Sequence, residues 1–204
     1  EILTHIRHSE KVFNMKRLLL ILILTFSFQS LTKADDIRDF EIEGMSIGDS
    51  LLDYFTEKKI EKERSFYMLG GKYLDGYSKI SIKENNKIYD SVVLYFESDD
   101  KSYTIQAISG RNYFNKNINE CYKIQKNIVN EIKTIMDSSE IIVDKKKKHS
   151  RLPNSYVTST YFYLNESDIT ISCYNFSKKD TQSIDRLSVI VRTEKLNIYL
   201  RATK

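Results

Sequence analysis

Eight residues near the middle of the chain, Ser91-Val-Val-Leu-Tyr-Phe-Glu-Ser98, constrain the fold more than any other stretch. Read with a period of two, Val92, Leu94 and Phe96 share one face, and Val93 and Tyr95 share the other. A strand that is apolar on both faces belongs at the centre of a sheet.

Its surroundings have the same period. Residues 65–69 and 77–83 read as strands, with Gly70-Gly71 and the stretch 84–87 as turns. Another strand is expected over 102–109, which completes a meander. Strand periodicity returns at 156–164, 168–176, 186–193 and 196–201. Between the two runs the period becomes helical: Ile118, Cys121, Ile124, Ile128, Ile132 and Ile135 form one stripe over 117–136. A first helix is expected over 46–59. Ser46 is its N-cap, with Asp49 three residues on and Ile47, Leu51, Leu52, Tyr54 and Phe55 on one side. The segment 144–155, which holds the only Pro, reads as a polar loop.

The order helix, meander, helix, meander predicts an α+β fold. It consists of antiparallel sheet from two helix-plus-meander units, with the helices on one face. The halves are 35–112 and 113–204, read either as a duplicated unit or as one irregular domain over 35–204.

The region before 35 reads differently. Met15-Lys16-Arg17, the apolar run 18–28 and Thr32-Lys33-Ala34 have the form of a cleaved secretory signal peptide over 15–34. Residues 1–14 then read as an upstream extension. Without residues 1–34 the chain loses five of its 32 basic and two of its 28 acidic residues, which leaves a net charge of +1. A balance that small does not support nucleic-acid binding. Export places the chain in the periplasm or outside the cell. There the remaining cysteines, Cys121 and Cys173, are expected to pair. Cys121 lies on the apolar stripe of the second helix, and Cys173 shares a strand face with Ile169 and Ile171, so both point into one core.

The segment Gly44-Met-Ser-Ile-Gly-Asp-Ser-Leu51 spells both a nucleophile elbow and a Gly-Asp-Ser-Leu esterase block. A serine hydrolase using Ser46 or Ser50 needs a general base, and the only histidine after residue 34 is His149. It sits among Lys145, Lys146, Lys147, Lys148 and Arg151, which disfavour the protonated state it must pass through. The strands also do not alternate with helices as a hydrolase sheet requires. The helix-start reading is therefore preferred. The lysine run itself is a candidate contact for a polyanion or for lipid headgroups. No Cys/His cluster offers a metal site, and no cofactor is expected. The 14 tyrosines are all beyond residue 34 and offer a surface for a glycan or a peptide.

Gly44-Met45-Ser46 followed by an amphipathic helix resembles the opening of the small lipoprotein subunit of the outer-membrane β-barrel assembly machinery. This chain departs from it in lacking a lipid-bearing cysteine. The longer stretch from Ile42 to Leu52, placed after a signal peptide, is similar to an exported family of marine alphaproteobacteria with no assigned activity. That resemblance implies localisation and size. The expectation is a non-catalytic periplasmic or secreted binding module. Its partner is another envelope protein or a glycan, with a peripheral membrane contact through the lysine run.

Overall fold

The structure, a computed structural model, describes residues 36–204 apart from 70–71, 85, 116, 137–139, 151, 178, 180–182 and 204. The proposed leader and extension lie outside the described residues. Among these residues eight strands make one antiparallel sheet: β1 (Ser65–Leu69), β2 (Lys72–Ile82), β3 (Ser91–Glu97), β4 (Ala107–Phe114), β5 (Glu140–Lys148), β6 (Tyr156–Leu164), β7 (Ser167–Asn175) and β8 (Asp185–Arg192). Their spatial order is β1-β2-β3-β4-β8-β7-β6-β5. Each meander contributes four strands. The two meanders join through their last strands, which pair in unbroken register from Ala107↔Arg192 to Phe114↔Asp185. Three helices complete an α+β fold: α1 (Glu57–Glu63), α2 (Ile118–Ile135) and α3 (Glu194–Ala202).

β3 lies inside the sheet, and its residues 91–96 are all buried, as its two apolar faces require. The main core lies between the sheet and α2. Leu94, Phe96, Ile108, Phe162, Ile169, Ile171 and Leu187 come from the sheet, and Cys121, Val129 and Ile132 from the helix. Cys121 and Cys173 form a disulfide with their Cα atoms 6.0 Å apart. Gln125 is buried on the same helix face. Its Nε2 donates to the carbonyls of Thr158 and Ile171, 2.9 Å from each, so the buried amide is satisfied and bridges α2 to β6 and β7.

Four local expectations are corrected. The helix over 46–59 does not form. Glu43, Gly44 and Gly48 take positive φ values of 56°, 76° and 92°, so the chain turns where a helix would continue. Residues 48–51 instead run alongside 103–105: Gly48 N–H donates to Ile105 O (2.8 Å), Ile105 N–H to Asp49 O (2.8 Å) and Leu51 N–H to Tyr103 O (3.1 Å). Ser46 is therefore not a helix cap. Its amide donates to Asp49 Oδ2 at 2.8 Å, which is the reciprocal half of a capping box formed without the helix. Helical turns begin later, at a 3-10 turn over Leu51–Asp53 capped by Ser50 and at α1 capped by Thr56.

The strand expected over 102–109 starts only at Ala107, because 103–105 are occupied with 48–51. The loop expected over 144–155 begins later, since β5 runs through the lysines to Lys148. An edge strand rich in lysine resists pairing with a second chain, and this is a common way to protect a sheet edge. Finally, 196–201 is helix, not strand. Thr193 Oγ1 accepts from Leu196 N–H, and Leu196, Asn197 and Leu200 are buried while Ile198 is 52% exposed. α3 packs on the sheet face opposite α2, against Leu74, Tyr77, Val93, Tyr95 and Ala107. The helices thus lie on both faces.

Candidate functional site

α3 covers only one end of its face. Strand pairing identifies the side chains beyond it. Lys79 on β2 stands opposite Tyr95 on β3. On β4, Arg111 faces Ser188 of β8, and Tyr113 faces Arg186. Arg186 in turn faces Tyr174 on β7. These residues occupy alternate positions on strands whose other positions fill the main core, so the period of two sends them all to the open face. Beneath them small hydroxyl residues pair and are buried: Ser109 with Ser188 at 3.0 Å, and Ser159 with Ser172 at 2.8 Å.

Four cations on the β2, β4 and β8 part of this face divide sharply. Arg192 is fully accounted for. Its Nε and Nη2 reach Asp168 at 2.9 and 2.7 Å, and Asn197 of α3 donates to the same carboxylate at 2.7 Å. Burial alone would push Asp168 up. The Arg192 charge and the hydrogen bonds from Arg192, Thr170 and Asn197 outweigh it and hold this carboxyl below the usual range. This cluster locks α3 to β7 and β8.

Lys79, Arg111 and Arg186 have no such partner. None forms an ion pair with a described residue. Arg111 has one hydrogen bond, from Nη2 to Tyr95 Oη at 3.2 Å. The Arg186 guanidinium lies 4.5 Å from the Tyr174 ring centroid and 5.4 Å from that of Phe176, an aromatic contact that orients a cation without neutralising it. The Nε atoms of both arginines are buried and lack a hydrogen-bond partner. Such a donor costs about 1–3 kcal/mol when buried, and more when charged.

The electrostatics agree with the geometry. Burial first, and then the Arg111 charge, push both Lys79 and Arg186 down from their ordinary values. No carboxylate opposes the shift in either case. Burial also raises the neighbouring phenols: Tyr67 is pushed up to about 12, and Tyr95 rises for the same reason. They are hydroxyl donors at any physiological pH. The result is a cationic, tyrosine-lined surface suited to an anion.

Of the residues singled out from sequence, the two serines lie elsewhere, whereas His149 and Lys147 border this face. Ser50 Oγ donates to Ser102 O at 2.6 Å and accepts from Leu52 N–H at 3.2 Å, so it ties a turn. His149 Nδ1 accepts from Leu152 N–H at 3.2 Å, and its ring packs near Tyr174 and Phe176. The hydrogen bonds of Ser46 and Ser50 go instead to Asp49, Ser102 and Leu52. The lysine run is split by strand geometry. Lys147 pairs opposite Val157 on the open face, whereas Lys148 pairs opposite Tyr156 on the other. Lys146 lies over the Tyr156 ring at 4.1 Å. Arg151 and the Lys145 side chain lie outside the described residues. The run is therefore not one patch.

Arg111 and Arg186 went unnoticed in the sequence. Their signal is a basic residue in an alternating strand whose other face is apolar, as in Arg186-Leu-Ser-Val-Ile-Val-Arg192. No group of histidine, cysteine and acidic residues among the described residues can hold a metal ion. No described helix is long and apolar enough to cross a membrane. No family model, curated protein or solved structure matches this chain.

Proposed function

We propose that the chain is an exported, non-catalytic binding module of the cell envelope that works through the open face of its sheet. The observation that carries this reading is the pair Arg111 and Arg186. Two guanidiniums without a counter-ion persist on a surface that otherwise satisfies its polar groups. The Cys121–Cys173 disulfide is compatible with an oxidising compartment, which supports the export expected from the leader. The partner is another envelope protein or a glycan bearing negative charge.

The test compares the purified protein with its Arg111→Gln/Arg186→Gln variant, each immobilised and presented with solubilised envelope fractions and envelope glycans. Retention by the parent, lost in the variant and weakened by salt, supports the reading. Equal retention by both places binding elsewhere on the molecule.

A further inference from the structure

We propose that Arg111 and Arg186 form a receptor for a phosphoryl group, with Lys79 adding to its field. The inference rests on the open face being the binding surface, and it names the chemistry that this surface selects.

Three features favour phosphoryl over other anions. The first is charge. Three cations converge with no paired carboxylate among the described residues. A single carboxylate would leave most of that charge uncompensated, whereas a phosphate monoester carries close to two negative charges at neutral pH. The second is shape. Arg111 and Arg186 are diagonal neighbours on adjacent strands, because Arg111 faces Ser188 and Arg186 faces Tyr113. Diagonal neighbours lie about 7–8 Å apart, with their Cβ atoms somewhat closer, a span across which two long side chains can reach one tetrahedral group. The guanidinium fork matches phosphate oxygens two at a time, and stacking on Tyr174 sets the plane of the Arg186 fork before any ligand arrives.

The third feature is extent. The cluster is bounded on the α3 side by cations that are already neutralised, Arg192 by Asp168 and Lys195 by Glu97 at 2.5 Å. Across β7 it meets Tyr174, Phe176 and the His149 ring, with Lys147 beyond Val157 in the same row. A long polyanion would need a continuing basic track, and strand geometry sends Lys148 to the other face and leaves Lys147 separated from Arg186 by two strands. Tyr95 completes the receptor. Its oxygen accepts from Arg111 and, belonging to a buried residue, holds that guanidinium in place.

The experiment titrates the purified protein with inorganic phosphate by calorimetry, with acetate as the monoanionic control. Arg111→Gln, Arg186→Gln and, as a control on the other face, Lys148→Gln are compared. Saturable phosphate binding is expected, weakened by about tenfold or more in each arginine variant and by less than about twofold in the control. Glucose 1-phosphate binding more tightly than phosphate assigns the group to a sugar, and vesicles of phosphatidic acid binding more tightly assign it to a lipid. Either outcome supports the proposal. If a variant fails to fold, the Nε–H resonances of the parent decide: phosphate should shift those of two arginines. Acetate binding as tightly as phosphate, unchanged affinity in both arginine variants, or no saturable binding overturns the proposal. If phosphate fails while envelope retention still depends on the arginines, the phosphoryl assignment alone falls. If retention is also independent of them, both readings fall.

Discussion

The Tyr89 ring stands over Gly110 so closely that a Cβ added to the glycine would lie 2.6 Å from Cε1. No real Cβ tolerates that contact, and the ring has its own anchor. The Tyr89 amide donates to Glu43 Oε1 at 2.9 Å. Gly110→Ala therefore forces the ring or the strand to move. Overpacking of this kind costs about 1–3 kcal/mol, read as a fall in the urea midpoint with an unchanged slope. A loss below about half a kilocalorie would mean that the ring swings aside freely.

Glu43 is the hinge of the N-terminal segment. It takes a positive φ of 56°, and its carboxylate accepts the amides of Lys87, Ile88 and Tyr89 at 2.8–2.9 Å. Glu43→Ala removes three charge-assisted hydrogen bonds. It should destabilise the fold by about 2–4 kcal/mol, and amide exchange should quicken first at 87–89. Glu43→Gln, which keeps an acceptor, should cost less. A Glu43→Gln variant as stable as the parent would show that the charge contributes nothing.

The same geometry explains which parts of the chain were legible. β3, β7 and β8 are legible to within a residue or two because the core-facing positions of each are largely apolar, and β6 because β-branched and aromatic residues fill it. α2 was read because its stripe runs for five turns. Gly44-Met-Ser-Ile-Gly-Asp misled because Ser46 and Asp49 do interact as in a capping box, while two glycines and Glu43 divert the backbone. Residues 196–201 are six in number, and Leu-Asn-Ile-Tyr-Leu-Arg fits either period. The decisive signal was the Thr193 cap with Glu194 behind it. The lysines hid β5 because edge protection looks like a loop. The cationic site was not legible at all. Arg111 and Arg186 are brought together by the β4–β8 register across 75 residues of chain, and no local pattern encodes that pairing.

Neither serine of the esterase-like spelling should react. Fluorophosphonate is expected to label neither Ser46 nor Ser50. Ser50→Ala should cost about 1 kcal/mol, because it loses a turn cap and a hydrogen bond to Ser102. Ser46→Ala should stay within about 0.5 kcal/mol, as for a side chain that caps no helix. Stoichiometric labelling of either serine would return the hydrolase reading.

Asp168 makes stability depend on pH. Its folded-state carboxyl lies below the ordinary value, so the unfolded chain takes up the proton first as pH falls. The stabilisation is fully present above the unfolded value near 4 and is lost progressively below it. At neutral pH Asp168→Asn should cost about 3–5 kcal/mol, because the Arg192 charge is left buried without its partner. In urea melts the gap between parent and variant should therefore narrow as pH falls below about 4. A gap that stays constant down to pH of about 2 would mean that Asp168 does not titrate with folding.

The disulfide joins Cys121 and Cys173 across the helix–sheet interface. Cys121 lies in the first turn and a half of α2, and Cys173 lies on β7 between Ile171 and Phe176. The bond therefore pins the helix directly to the sheet beneath it. The closed loop spans 52 residues, and chain-entropy arguments value such a link at about 4 kcal/mol. Removing it does not release α2 entirely, because Gln125 still hydrogen-bonds β6 and β7 one turn further on. Cys121→Ala/Cys173→Ala should therefore remain folded under mild conditions, with a stability loss of about 2–4 kcal/mol. Adding Gln125→Ala should cost more in that background than in the parent, because the two tethers hold the same helix to the same strands. Additive losses would mean that α2 is held by its apolar stripe alone. Two free thiols in the purified protein, counted under denaturing and non-reducing conditions, would remove the tether from the account.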